Sequence, residues 1–123
     1  MKISDNIDVL SNQSVTILTG ASSGIGLDLL DLLAKNYQNI LVINRNESKT
    51  IPILEELLIK YPSTRVSYLI SDLSDQNEIL KLSNYIKHNN IKIETLINNA
   101  GVLPLKRAIS KQGVELTFAV NHL

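Results

Sequence analysis

Thr19-Gly20-Ala21-Ser22-Ser23-Gly24-Ile25-Gly26 stands between an apolar run, Val15-Thr16-Ile17-Leu18, and an amphipathic run that begins at Ile25. Such a stretch is the turn from a buried strand into a helix. The placement gives each glycine a task. Gly20 lets the chain reverse at the strand end, Gly24 leaves room for a phosphate to approach the backbone, and Gly26 lets the helix lie close on the strand. The helix aims its free N–H groups and the positive end of its dipole above the turn, where an anion is the natural occupant. Ser22 and Ser23 add hydroxyls that either bond that anion or cap the helix.

Outward from this turn the apolar periods alternate. The first strand ends near Thr19, after a polar lead-in over residues 1 to 13. The following helix is expected to bury Ile25, Leu29, Leu32 and Leu33, with Leu27 and Leu30 widening the stripe and Asp31 pairing with Lys35. Asn36 to Asn39 break it, and Ile40-Leu41-Val42-Ile43 is a wholly apolar run suited to a parallel strand buried on both faces. A second helix is capped by Asn46, Ser48 or Thr50. Pro52 places its first turn near Ile51, and Leu54, Leu57, Leu58 and Tyr61 form its buried face. Glu56 and Lys60 can pair outside, and Pro62 ends it. Val66 to Ile70 is the third strand. Ser74 is expected to cap a third helix with Ile79, Leu82 and Ile86 inward, and Ile93 to Ile97 is the fourth strand. A last helical run follows from Val114 to Leu123.

The order β-α-β-α-β-α-β predicts an α/β protein with a doubly wound parallel sheet in strand order 3-2-1-4, one domain over residues 1–123. The chain of 123 residues carries 12 basic and 12 acidic side chains, which leaves no electrostatic footprint for nucleic acid or an anionic membrane. It has no cysteine, so neither disulfides nor thiolate chemistry enter. No apolar run reaches membrane-spanning length, and Met1 to Asn12 lack the basic and apolar regions of a signal peptide. A soluble, cytoplasmic protein without a membrane span is the expectation. No His, Cys and carboxylate cluster suggests a metal, and His88 and His122 read as surface or helix-end residues.

Ligands of such sheets sit at the carboxyl ends of the strands. The string Thr19 to Gly26 resembles the cofactor signature of the short-chain dehydrogenase/reductase family, and Asn98-Asn99-Ala100-Gly101 after the fourth strand is similar to that family's Asn-Asn-Ala-Gly motif at every position. The resemblance implies a Rossmann-type fold that binds NAD(P) through Gly20, Ser22, Ser23, Gly24, Ile25 and Gly26, with Asn99, Ala100 and Gly101 passing close to the cofactor. After the second strand, where an acid would grip the ribose hydroxyls of NAD, Arg45 offers a planar charged fork suited to the 2′-phosphate of NADP. NADP is therefore expected over NAD. Asp72-Leu73 after the third strand looks like the pair that holds the adenine amino group; alternatively Asp72 caps the next turn with Ser74 and Asp75. The tail from Gly113 to Leu123 resembles the next helix of the family, and more narrowly of its retinol-dehydrogenase-like members, where Asn121 matches a catalytic Asn that holds a water.

The family's chemistry is hydride transfer at the nicotinamide, with a Tyr as acid or base and a Lys four residues on. Here Tyr37, Tyr61, Tyr68 and Tyr85 are followed at that distance by Leu41, Arg65, Asp72 and Asn89. The resemblance covers essentially the whole chain but only the cofactor half of the family fold. Three expectations stand: the cofactor portion of an NADP(H)-dependent oxidoreductase of small alcohols or carbonyls, oligomeric in its intact form; a non-catalytic nucleotide-binding module; or a remnant that does not fold alone. The fourth strand would be a bare apolar edge prone to aggregation.

Overall fold

The computed structural model describes residues 2–3, 7–36 and 39–122. Part of the expected helix break, at Tyr37 and Gln38, lies outside the described residues, as do Leu123 and Met1, Ser4, Asp5 and Asn6 of the lead-in. Among the described residues the strands are β1 (Lys2–Ile3), β2 (Ser14–Thr19), β3 (Asn39–Asn44), β4 (Arg65–Ile70) and β5 (Lys92–Ile97). The helices are α1 (Gly24–Lys35), α2 (Glu47–Lys60), α3 (Gln76–His88) and α4 (Leu116–Asn121). One sheet runs β1-β4-β3-β2-β5. β4, β3, β2 and β5 are parallel neighbours, which is the expected order 3-2-1-4.

The apolar run of β3 shows why the sheet is covered on both faces. Leu41 and Ile43 join Val15, Ile17 and Leu69 in a core beneath α3, which adds Leu82 and Ile86. Ile40 and Val42 point the other way, onto Leu30 and Ala34 of α1 and Leu54 and Leu57 of α2. Each such side chain contributes about 1.5–3 kcal/mol by leaving water, so a strand with four in a row belongs in the middle. β5 is an edge strand pairing with β2, and Ile93 and Leu96 are 50% and 53% exposed.

Several local expectations are corrected. The lead-in is not merely polar: β1 adds an antiparallel edge, Lys2 opposite Ile70 and Ile3 opposite Leu69. A 3₁₀ turn, Ile7–Leu10, also buries Ile7 and Leu10 in the core. Helix α1 buries Gly26, Leu30 and Ala34 instead of the Ile25 and Leu32 side, leaving Ile25 74% and Leu32 55% exposed. Leu29 and Leu33 pack at the margin. A helix approaches a sheet most closely where it lacks a Cβ, so Gly26 sets its rotation.

Asp31 does not rely on Lys35. Its carboxylate accepts hydrogen bonds from Lys60 Nζ at 2.8 Å and from the Tyr61 hydroxyl at 3.1 Å, tying α1 to the end of α2. The lysine's hydrogen bond holds the Asp31 carboxyl below its usual range, and Asp31 in turn raises Lys60. Helix α2 starts at Glu47, earlier than Pro52 suggested, because Asn46 accepts from the Lys49 N–H at 3.1 Å. Pro52 therefore sits inside the helix and removes one ladder bond. Asp75, not Ser74, caps α3, accepting from the Asn77 N–H at 3.0 Å. Helix α4 begins at Leu116 rather than Val114, because the Val114 N–H is taken by Ser110 Oγ at 3.2 Å and Glu115 caps the Thr117 and Phe118 N–H groups.

Candidate functional site

The central strand β2 has neighbours reached by crossovers in opposite directions, so a crevice opens at the carboxyl ends of the parallel strands. It has a volume of about 360 Å³ and is bordered by Gly20, Ser22, Ser23, Ile25 and Gly26 of the glycine turn, Arg45 after β3, Asp72 and Leu73 after β4, and Asn99, Ala100 and Gly101 after β5. Gly24 and Asn121 are not on that border. Gly24 lies in the turn between two bordering residues, while Asn121 clasps Val102, accepting from its N–H at 2.8 Å and donating to its carbonyl at 3.0 Å.

The glycines are held by different constraints. Gly20 has φ +71°, and a Cβ there would stand 2.7 Å from Ala100 Cα. Gly26 has ordinary helical angles, but a Cβ would overlap the Gly20 carbonyl oxygen and the Asn99 side-chain nitrogen. Gly24 has φ +56°, and a Cβ there would meet no protein atom within 4 Å. The space at Gly24 is therefore open, and the first-turn N–H groups of α1 have no intrahelical acceptor. Ser23 is the N-cap residue, yet its side chain makes no capping hydrogen bond. Of the two uses open to the Ser22 and Ser23 hydroxyls, Ser23 does not take the capping one.

Two polar networks fasten this turn. Asn99 Nδ2 donates to the carbonyls of Gly20 at 2.9 Å and Thr19 at 3.2 Å. Thr19 Oγ1 accepts from the N–H groups of Asn99 and Ala100 at 3.1 and 3.0 Å. On the other side the buried Asn44 accepts from the Ala21 N–H at 2.8 Å and donates to Thr50 Oγ1 at 3.0 Å. Thr50 then donates to the Asn46 carbonyl at 2.7 Å. The apolar run Ile40 to Ile43 stops one residue short of Asn44, which the structure makes the last residue of β3. The signal was a polar residue closing an otherwise apolar strand, where burial demands partners.

Arg45 is exposed and makes no ion pair with a described residue. Lys49, four residues on in the first turn of α2, borders the same cleft. The sequence reading missed it, although the Arg-x-x-x-Lys spacing was visible. Arg45 and Lys49 make one end of the cleft cationic. Asp72 uses Oδ1 locally, accepting from the Ser74 N–H at 2.9 Å and the Ser74 hydroxyl at 2.6 Å, so the turn-capping alternative holds in this geometry. Beside it Ser71 is 2% exposed, and its hydroxyl has no hydrogen-bond partner among the described residues.

Behind the loop after β4, Asp75 clamps the turn before α4. Its Oδ1 accepts from Gln112 Nε2 at 2.9 Å, and its Oδ2 lies 3.0 Å from Lys111 Nζ. Gln112 and Lys111, with the Asn77 N–H, hold this carboxyl down to about 2 against the opposing effect of burial. Burial raises the Tyr85 phenol, which packs against the core away from the cleft. His88 contacts the Asn84 carbonyl and His122 stacks near Phe118, both at helix ends. Among the described residues no cluster of three His, Cys, Asp or Glu could hold a metal, and no helix is long and apolar enough to cross a membrane.

Fold and cleft together define a doubly wound α/β protein with its ligand site at the carboxyl edge of the sheet. A family model described as short chain dehydrogenase matches residues 14–123. The chain belongs to the short-chain dehydrogenase family. Short-chain dehydrogenase TIC 32 A, chloroplastic, of Brassica napus is 33% identical over 107 residues, covering 87% of this chain and 33% of that protein. Human polyprenol dehydrogenase is 28% identical over 109 residues, covering 89% of this chain and 33% of that one. Among solved structures, a short-chain dehydrogenase from Sphingobium yanoikuyae in complex with NADPH superposes with a TM-score of 0.73 at 22% identity, over 89% of this chain and 43% of that one. A bulky-bulky ketone specific alcohol dehydrogenase from Comamonas testosteroni gives 0.73 at 22% identity, over 90% and 45%. The chain thus spans about a quarter to a third of the length of the curated relatives it matches.

Proposed function

We propose that this chain is the cofactor-binding portion of an NADP(H)-dependent oxidoreductase that interconverts a small alcohol and its carbonyl compound, cytoplasmic and acting as an oligomer in its intact form. The observation that carries the reading is that the glycine turn, Arg45 and the loop after β5 border one cleft. The open space at Gly24 and the first-turn N–H groups of α1, which have no intrahelical acceptors, together suit a pyrophosphate. Arg45 and Lys49 suit the 2′-phosphate, in line with the NADPH named for the Sphingobium structure. Asp72 and Leu73 would hold the adenine end, and Asn99, Ala100 and Gly101 would let the chain pass close to the cofactor. Once bound, the nicotinamide supplies or accepts the hydride. Asn121 shapes the loop at Val102 and is the chain's one match to the family's catalytic set.

A non-catalytic nucleotide-binding module is the second reading, resting on the same cleft. Both readings predict binding, and they part on turnover. Calorimetry should show NADPH binding more tightly than NADH. Arg45→Asp should cost NADPH about 1.5–3 kcal/mol, the range of a hydrogen bond to a charged group, and leave NADH nearly unchanged. Equal losses would remove Arg45 from the 2′-phosphate. The 123-residue chain alone should not consume NADPH with ketones, aldehydes or quinones, since general acid–base help worth about 10²–10⁴ in rate is missing. A longer product carrying Tyr-x-x-x-Lys should consume it, and one that bound NADPH but never did so would favour the module.

A further inference from the structure

Leu103-Pro104-Leu105-Lys106-Arg107 follows the loop after β5 and is the most exposed apolar segment among the described residues. Leu103 is 87% exposed, Leu105 wholly so, and Lys106 and Arg107 are exposed beside them. The segment is pinned at both ends. Before it, Asn121 holds the N–H and the carbonyl of Val102 at 2.8 and 3.0 Å. After it, the Ala108 carbonyl accepts from the Leu116 N–H at 2.9 Å, and the Ser110 N–H donates to the Val114 carbonyl at 2.7 Å. Pro104 fixes one further backbone angle between these anchors. A single exposed apolar side chain, such as Ile59, is ordinary on a protein surface. Two leucines on a pinned tip, followed directly by two cations, are a pattern that water does nothing to stabilise.

The charge around the tip has one sign. Between Glu94 and Glu115 the chain carries Lys106, Arg107 and Lys111 and no acid. Lys111 is engaged by Asp75 at 3.0 Å. Glu115 gives its carboxylate to the Phe118 and Thr117 N–H groups, which together with Arg107 at longer range hold it below its usual value. Neither Lys106 nor Arg107 makes an ion pair with a described residue. The equal totals of acid and base over the whole chain hide this local excess. A protein partner would have to offer a pocket shaped to a convex tip, whereas acyl chains close around any apolar shape and place anionic headgroups just above it.

We propose that Leu103, Leu105, Lys106 and Arg107 form a docking tip for an anionic lipid surface, the leucines entering the boundary of headgroups and acyl chains and the cations meeting the headgroup anions. Attachment of this kind is peripheral and reversible and needs no membrane-spanning helix. It goes beyond the cofactor reading and does not rest on it. Vesicles of phosphatidylcholine mixed with phosphatidylserine should sediment the wild-type chain. Phosphatidylcholine alone should bind it about tenfold or more weakly, the share of two cations at a charged surface. Lys106→Gln with Arg107→Gln should bring binding to the mixed vesicles down to that level. Leu103→Ser with Leu105→Ser should weaken binding to the mixed vesicles by about ten- to a hundredfold, since each leucine loses its transfer out of water.

The chain has no tryptophan, so Leu105→Trp supplies one indole at the tip. Its emission should shift to the blue on the mixed vesicles, while Ile59→Trp, on α2, should not shift. Folded wild-type chain that stays in solution with both kinds of vesicle overturns the proposal. So does binding that the leucine pair leaves unchanged, or an equal blue shift at positions 59 and 105. Self-association without lipid, abolished by the leucine pair and not accompanied by vesicle binding, overturns it too, because the tip would then be covered by a second copy.

Discussion

Replacing Gly26 by alanine should damage the fold far more than replacing Gly24, although the two stand two residues apart in one turn. At Gly26 the new Cβ would overlap the Gly20 carbonyl oxygen and the Asn99 side-chain nitrogen and lie 2.9 Å from the Gly20 carbonyl carbon. Backbone atoms cannot swing aside, so α1 must move off β2. Overpacking of this kind costs about 1–3 kcal/mol. The move also endangers the Asn99 bonds to Gly20 and Thr19, about 0.5–1.5 kcal/mol each. Alanine returns about 1 kcal/mol of helix propensity, leaving a net loss of about 1–5 kcal/mol. In a chain of this size that lowers the melting temperature by roughly 5–25 °C. At Gly24 a Cβ meets nothing, and the cost is the positive φ alone, about 1–2 kcal/mol. Gly24→Val should instead block the approach of the pyrophosphate. Urea denaturation followed by circular dichroism, paired with NADPH titration, separates the two. Gly26→Ala within about 0.5 kcal/mol of wild type would refute the packing argument. NADPH affinity retained in a folded Gly24→Val protein would refute the phosphate argument.

Asn44→Ala leaves the Ala21 N–H without its buried acceptor and Thr50 without its buried donor, so it should destabilise by about 2–3 kcal/mol and weaken NADPH binding; denaturant melts and calorimetry check it, and full stability would mean that the turn holds itself. The Asp75 clamp carries a pH signature. Its folded-state carboxyl sits at about 2, below the ordinary 3.8. Its contribution is therefore complete above about pH 4 and is lost as pH falls towards 2. The stability difference between wild type and Asp75→Asn, measured by urea melts from pH 7 to pH 2, should shrink across that window and nowhere above it. A difference flat to pH 2 would show that Gln112 and Lys111 do not hold the carboxylate.

The order of elements was legible in the sequence because its signals are local. Four apolar residues in a row at Ile40 to Ile43 suffice for a central parallel strand, and three glycines between a strand and a helix suffice for the turn. With β-α-β handedness these determine the sheet order and hence the edge at which the candidate residues meet. What tertiary structure decided are pairings across long stretches of chain. The rotation of α1 follows from Gly26 meeting Gly20 and Asn99, not from its own leucine stripe. Asp31 passes over Lys35 for Lys60 and Tyr61 because α2 ends beside it. Asp75 finds Lys111 and Gln112, and β1 and the Ile7–Leu10 turn are too short to show a period. Ser71 is the sharpest case: nothing in its neighbours in the chain marks it as unbonded. A side chain's periodicity reports which face it occupies, while its partners depend on which other segments the fold brings to that face.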